Sequence, residues 1–385
     1  MEILLSDFGK NLPLFVLICT VLIAIVAEAA RKTRPVLIYY ISLAGSALTA
    51  VLALFSFSDE GYSFSGMIQY GGYAAFFAAL FNFIAFVTII LSRNYFESNK
   101  YHRGEFYILL LFSVIGMMLI ASANDLIIIF LGIELMSFCL YALVGFLRTK
   151  ERSNEASLKY FLLGAFTTGF LLYGIALIYG VAGTTNLTAI RDMFATISSS
   201  PLFFVGTGLL MIGISFKAAA VPFHMWVPDV YEGAPTPITG FMSTAAKAAA
   251  FAAFVIVFIR VFEFISGSVN EVIAILAAAS MIIGNVIAVS QDNIKRMMAY
   301  SSIAHAGYML CGVAAGTPDG QIGILYYLVA YAMMNLGVFA IISFIEQDED
   351  KNLLLDDYRG LRQSQPLLSA ESSSVSVSSG SGSST

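Results

Sequence analysis

The sequence predicts an all-α polytopic membrane protein of about eleven transmembrane helices, and three observations carry that prediction. Of its 385 residues, 58% are hydrophobic and 12% charged, against about a quarter charged in an average soluble domain. The mean hydropathy is +0.83, and the apolar residues gather in long runs close to the roughly 20 residues a helix needs to cross about 30 Å of hydrocarbon. The runs do not alternate as barrel strands would, and an open sheet edge has no place in lipid, so helices are the spanning elements.

Taken in order, the runs predict helices near 12–30, 35–57, 69–92, 104–122, 124–147, 156–183, 201–232, 236–261, 270–290, 296–316 and 321–346. The first run lacks a cleavage-like site followed by a polar mature region and passes almost directly into the second, which reads as a retained helix. The seventh, 201–232, is too long for a simple span and contains Pro222 and Pro228, which remove backbone donors and predict a broken helix. In transporters such breaks occur where freed backbone groups line a polar cavity. Past Leu368, residues 369–385 hold ten serines and no apolar run, the composition of a disordered tail.

Charge placement supports this count. When the 20 Lys and Arg are set against alternating loops, fifteen fall on one side and only Lys10, Arg191 and Arg260 on the other, with Lys217 and Lys247 inside spans. By the positive-inside rule the N-terminus is then outside, or periplasmic, and the loop after the eleventh helix cytoplasmic. No basic tract points to nucleic acid. Cys19, Cys139 and Cys311 lie in apolar runs without CxxC or His spacing, so neither a disulfide framework nor a metal site is indicated. With no glycine-rich phosphate loop, cysteine cluster or paired haem-spaced histidines, the chain is expected to bind no redox cofactor.

The chemistry is expected at mid-bilayer depth. Glu134 stands eleven residues into a 24-residue run, Lys247 twelve into a 26-residue run, Lys217 seventeen into the 32-residue broken segment and His305 ten into a 21-residue run. A charge at the helix centre costs about 2.5 to 3.5 kcal/mol on insertion scales, so such residues face protein or water and mark ion or proton paths. For Glu134 and Lys217 a purely structural ion pair is the competing reading. Lys247 has no carboxylate at matching depth on a sequence neighbour, which suits a lysine that alternately holds and releases a proton. His305 reads equally as a relay or as a hydrogen-bonded packing residue. His224, Asp229 and Glu232 cluster in and after the break, either as a hydrated proton mouth or as polar caps of a broken helix.

Three stretches together resemble the antiporter-like membrane subunits of bacterial respiratory complex I, the proton-translocating NADH:quinone oxidoreductase. They are LGIELMSFCLYAL (131–143), FKAAAVPFHMWVPDVYEGAPTPITGFMSTAAKAAAF (216–251) and QDNIKRMMAYSSIAHAGYML (291–310). The long middle stretch is the specific one: PDVYEGAPTP followed by the lysine of STAAKAAAF is similar to the subunit N branch. The resemblance covers roughly residues 1–368.

It implies an antiporter-like fold with two inverted five-helix repeats, each with a broken helix. Here residues 1–103 would hold helices one to three, 104–261 the first repeat and 270–346 an incomplete second repeat, with 347–368 a cytoplasmic connection before the tail. It further implies that Glu134 and Lys217 form a coupling pair, that Lys247 is the central channel lysine and that His305 lies between half-channels. The chain would pump protons in the bacterial inner membrane alongside other membrane and peripheral complex I subunits, which use NADH and quinone. Family members continue with more helices after a DYRGL-like segment, whereas here QSQPLLSA leads into the serine tail. The expectation is a truncated or frameshifted product, or an altered end, lacking the exit path. A subunit of a multicomponent cation/proton antiporter, or a non-pumping scaffold, are the alternative functions.

Overall fold

The computed structural model describes residues 2–30, 35–98, 101, 103–261, 268–346 and 353–358. The serine-rich tail and most of the 347–368 connection lie outside the described residues. The helices run in the order α1 (Glu2–Lys10), α2 (Leu12–Ala30), α3 (Pro35–Phe55), α4 (Gly72–Ser98), α5 (Gly104–Ser122), α6 (Leu126–Val144) and α7 (Glu151–Ala182). The short α8 (Leu187–Asp192) and α9 (Phe194–Ile197) then lead to α10 (Pro201–Ala218) and α11 (Val227–Gly233). A continuous helix, Thr236–Val261, follows. It comprises α12 (Thr236–Phe241), a π-helical turn (Met242–Ala246), α13 (Lys247–Phe254) and a second π-helical stretch (Val255–Val261). Last come α14 (Ser268–Ala288), α15 (Ile294–Ala315) and α16 (Pro318–Ile345).

Among the described residues, ten helices are long and apolar enough to cross a membrane. The remaining predicted run, near 296–316, is the 22-residue α15, whose sequence is more polar because it carries Lys295, Arg296 and His305; it packs between α14 and α16. Other elements differ from the sequence reading: the short α1, α8 and α9 have no counterpart in it, and the third predicted helix runs on to Ser98 instead of ending near 92. Residues 69 and 70 belong to a small hairpin, β1 (Gly61–Ser63) against β2 (Ile68–Tyr70), rather than to the third helix. The sixth helix starts five residues earlier than predicted, at Glu151, because charged residues continue a helix beyond its apolar stretch at little cost.

The bundle is built around Thr236–Val261, whose most apolar window is 100% buried, whereas α2 and α14 are 33% and 22% buried. Its run of alanines lets α4, α5, α10 and α16 approach closely. In lipid, packing of small residues replaces the hydrophobic drive as the glue between helices. At the α7–α10 crossing, a Cβ added to Gly174 would stand 2.8 Å from the carbonyl oxygen of Gly206. The outer helices turn residues such as Val26, Phe166, Ile275 and Val286 outward, as a lipid-facing surface requires. Many hydroxyls inside the bundle bond to carbonyls of the preceding turn, as Thr88 does to Ile84 (2.8 Å) and Thr207 to Phe203 (2.9 Å), which satisfies them within their own helix.

One end of the bundle is tied by the hairpin. Asn124 N–H donates to Met67 O at 2.9 Å, and Asp125 pairs as a β-bridge with Asn186. Asp125 also caps α6, its Oδ1 accepting from Ile127 N–H at 2.9 Å. This fixes the start of the helix that carries Glu134.

Candidate functional site

The expected broken helix is where the first buried lysine sits. The chain leaves helical geometry at Ala219, in the left-handed region with φ 65°, and resumes it at Val227. The groups freed by the break find specific partners. Trp226 Nε1 donates to Phe216 O at 3.0 Å, and Val221 N–H donates to Ser280 Oγ of α14 at 2.9 Å. Trp226 stacks on Tyr160 with centroids 4.4 Å apart, which braces the break against α7.

Lys217, the penultimate residue of α10, is buried. Its Nζ donates to Ser137 Oγ at 2.8 Å and to Tyr141 OH at 3.3 Å. It also stands 5.4 to 5.7 Å from the ring centroids of Phe216, Tyr141 and Tyr160, within reach of a cation–π attraction. Glu134, Ser137 and Tyr141 follow one another at i, i+3 and i+7 and so share one face of α6. Glu134 is half-buried, and its Oε1 accepts from Thr168 Oγ1 of α7 at 2.8 Å. Among the described residues, no ion pair within 4.0 Å joins Lys217 to Glu134 or to any other carboxylate. The two share a chamber, with Ser137 one turn from the carboxylate.

The second chamber surrounds Lys247. It opens α13 directly after the π-turn and is 1% exposed. Its Nζ donates to both the backbone oxygen and the hydroxyl of Ser302 on α15. Inserted residues of this kind are frequent where a side chain must be re-aimed. One turn beyond Ser302 on α15 is His305, whose Nδ1 lies 2.5 Å from Tyr327 OH of α16. The ring of Tyr331 lies between them, 5.8 Å from the Lys247 ammonium and 5.0 Å from the His305 ring, centroid to centroid. Buried Lys247, Ser302 and Tyr331 and half-buried His305 and Tyr327 thus form one cluster from α13, α15 and α16.

Asp229 and Glu232 lie on α11 in an ion network at the end of the bundle opposite the hairpin. Asp229 Oδ2 meets Lys159 Nζ at 2.9 Å and Oδ1 meets Arg296 at 2.7 Å, while Arg296 also reaches Glu232 Oε2 at 2.9 Å. Burial pushes the Asp229 carboxyl up, but its hydrogen bonds and charge attraction to Lys159 and Arg296 outweigh this and hold it below the usual carboxylate range. The network flanks a cavity of about 200 Å³ and joins α7, α11 and α15. His224 lies half-buried within the 219–226 break.

Several residues of these chambers were not singled out by sequence. Ser137 and Tyr141 were legible in principle, from their spacing after Glu134, and Ser302 from its place one turn before His305. Lys295, counted among loop cations, is 1% exposed and donates to Ala234 O at 2.7 Å. Nothing in the local sequence separates it from its exposed neighbours. Glu346 ends α16 and accepts hydrogen bonds from Thr236 and from Tyr95.

The fold and these chambers define a multi-pass membrane protein that keeps ionisable side chains within its helical bundle. Residues 123–380 match the family model described as NADH:quinone oxidoreductase/Mrp antiporter, TM. Over 367 residues the chain is 45% identical to NADH-quinone oxidoreductase subunit N 1 of Chloroherpeton thalassium, covering 95% of this chain and 77% of that one. Over 331 residues it is 46% identical to subunit N of Trichlorobacter lovleyi, covering 86% and 68%. The chain therefore belongs to the NADH:quinone oxidoreductase/Mrp antiporter family, in its subunit N branch. Among solved structures it is similar to a chain of respiratory complex I from Thermus thermophilus, with TM-score 0.79 and 35% identity over 93% of this chain and 76% of that one. A chain of the archaeal membrane-bound sulfane sulfur reductase, at 24% identity and TM-score 0.83 over 94% of this chain and 76% of that one, shares the fold.

Proposed function

We propose that this chain is a proton-translocating membrane subunit of NADH:quinone oxidoreductase. Protons pass through its buried lysine, glutamate and histidine side chains, while NADH oxidation and quinone reduction occur on other subunits of the complex. The observation that carries the reading is Lys247: a lysine 1% exposed in the central helix, its ammonium held by the two neutral oxygens of Ser302. A fixed carboxylate partner would lock the lysine in its charged form. A hydroxyl and a carbonyl let it lose a proton without stranding an anion, and the serine hydroxyl both accepts and donates. Relatives 44% to 46% identical that bear the subunit N name favour complex I over an Mrp-type antiporter.

In this reading Glu134 and Lys217 are the charge-sensing pair of the first chamber, communicating through the Ser137 face of α6 rather than by direct contact. Lys247 is the central carrier, and His305 receives or supplies its proton through the tyrosine and serine hydroxyls around them. His224 and Asp229 stand on the cytoplasmic side of the path, Asp229 as a fixed anion of the ion network. Residues 104–261 form the first repeat and 270–346 part of the second, behind the helices of 1–103. The N-terminus is periplasmic, in a bacterial inner membrane, and the chain holds no redox cofactor of its own.

The test is Lys247→Ala in the assembled complex reconstituted into vesicles, measuring proton uptake per NADH oxidised. Proton uptake through this subunit should be lost while the complex still assembles. Wild-type stoichiometry in the variant would defeat the reading.

A further inference from the structure

The membrane face that the sequence provides with only Lys10, Arg191 and Arg260 gathers two of these cations around a single cavity. Its volume is about 290 Å³, and Arg191 of α8 and Arg260 of the central helix line it together with Gln69, Asn124, Thr188 and Gln321. These six residues come from the hairpin, the α5–α6 turn, α8, the last turn of the central helix and the start of α16. Chain segments distant in sequence are thus assembled into one polar concavity. Among the described residues no carboxylate lines it.

Arg260 is held in place from two sides. Its guanidinium carbon stands 3.9 Å over the ring of Tyr73, and its Nε donates to Gln321 Oε1 at 3.4 Å. One of its five N–H donors is used in that contact. Arg260 is only partly exposed, and among the described residues no carboxylate oxygen lies within 4.0 Å of it. The negative end of the helix dipole compensates part of this charge, but a cation withdrawn from water without an anion retains a cost. A rigid, pre-oriented arginine fork is the group that best matches the paired oxygens of a phosphate.

We propose that this cavity binds a phosphate-type anion, gripped by Arg260 and Arg191, with the side-chain amides of Gln69 and Gln321 completing its hydrogen bonds, while Thr188, donating to Asn124 Oδ1 at 3.0 Å, and Asn124 Nδ2, donating to Gly66 O at 2.8 Å, hold the polar lining in place. Part of the lining is an apolar wall that includes Ile256 and Ile259. The site therefore suits either the phosphate of an acidic phospholipid, whose glycerol and chain ends would lie against that wall, or free inorganic phosphate. The inference stands apart from proton transfer at Lys247, since none of these residues contacts that chamber.

The experiment uses the assembled respiratory complex carrying the wild-type chain, Arg260→Gln, Arg260→Lys or Arg191→Gln, in nanodiscs of phosphatidylcholine. Spin-labelled phosphatidylglycerol is titrated in, with spin-labelled phosphatidylcholine as the neutral reference and inorganic phosphate as competitor. Wild type should immobilise the acidic label in preference to the neutral one. Arg260→Gln should weaken that retention about tenfold or more, the scale of a lost charge-assisted hydrogen bond, and Arg260→Lys should restore part of it. Displacement by millimolar phosphate identifies the free anion as a competent ligand; resistance to it, with retention still dependent on Arg260, identifies the headgroup. If Arg260→Gln prevented assembly, Arg191→Gln, on the exposed side of α8, gives the same reading. Equal retention of the acidic label by wild type and by the glutamine variants, together with equal binding of inorganic phosphate in equilibrium dialysis, would overturn the proposal.

Discussion

Replacing Lys247 by arginine separates two things that a lysine supplies together, a positive charge and the ability to give up a proton. Arginine holds its proton about 2 to 3 pKa units more tightly than lysine in water, and each unit corresponds to about 1.36 kcal/mol. If release from this residue limits turnover, Lys247→Arg should slow proton transfer by about two to three orders of magnitude. The pocket adds to this difference, because the Ser302 carbonyl and hydroxyl accept from a guanidinium as well as from an ammonium and so offer nothing that favours its neutral form. Lys247→Met is the complementary change. It keeps a flexible chain of similar length in a site 1% exposed, removes the charge altogether, and leaves two oxygens that are already used or usable within α15. Methionine should therefore cost little in assembly. The assay is dye-reported acidification of vesicles containing the purified complex, normalised to NADH oxidation and to complex abundance on native gels. Both variants should assemble, and both should fail to move protons through this subunit. Full-rate pumping by Lys247→Arg would refute the argument, since a permanently charged side chain would then suffice.

Two further outcomes follow from the other sites. Glu134→Gln keeps the hydrogen-bonding geometry toward Thr168 but removes the charge facing the Lys217 chamber; proton pumping should fall while assembly is preserved, and wild-type pumping would leave Glu134 a structural hydrogen bonder. The ion network should respond to pH in a defined sense. Because Asp229 is held below its ordinary value, its contribution to stability is present in full above about pH 4, the unfolded carboxylate range. That contribution is lost as pH falls through the lower folded value. Thermal melting of the complex measured from pH 7 downward should show wild type losing more stability than Asp229→Asn.

Much of the fold was legible because the membrane imposes a simple rule, that each span be long, apolar and self-satisfied in its backbone. The same rule explains what was missed. The hairpin at 61–70 lies at the end of the bundle, where water and neighbouring loops satisfy the backbone and apolar run length carries no information. The break at Ala219 was announced by two prolines, yet the chain leaves helical geometry three residues before the first of them; the departure is set by where Trp226 and Ser280 can serve the freed groups. Depth along a span located Glu134, Lys217, Lys247 and His305, but it could not say which side chains face one another. Thus the lysine ammonium of the first chamber rests on Ser137 and Tyr141 instead of on the carboxylate its charge would suggest. Lys295 shows the converse limit: a cation beside a polar loop reads as exposed, and only the packing of Ala234 over it reveals burial.

These contacts give α15 a role that neither its modest hydropathy nor its position in the chain suggested. Within its first turn, Lys295 holds the Ala234 corner where α11 turns into the central helix, and Arg296 grips Asp229 and Glu232 on α11. Two turns later Ser302 receives the Lys247 ammonium, and one turn after that His305 meets Tyr327. Seven residues of α-helix separate Lys295 from Ser302, about 10 Å of rise, so the ion network and the central lysine are fastened to one short, stiff rod. A shift of α11 would therefore act on the Arg296 ion pairs and on the Lys295 contact at Ala234, both of which lie on the helix that carries Ser302 to Lys247. Since α10, with Lys217 near its end, leads into α11 across the break, the two chambers are joined through this rod without a direct contact between their lysines.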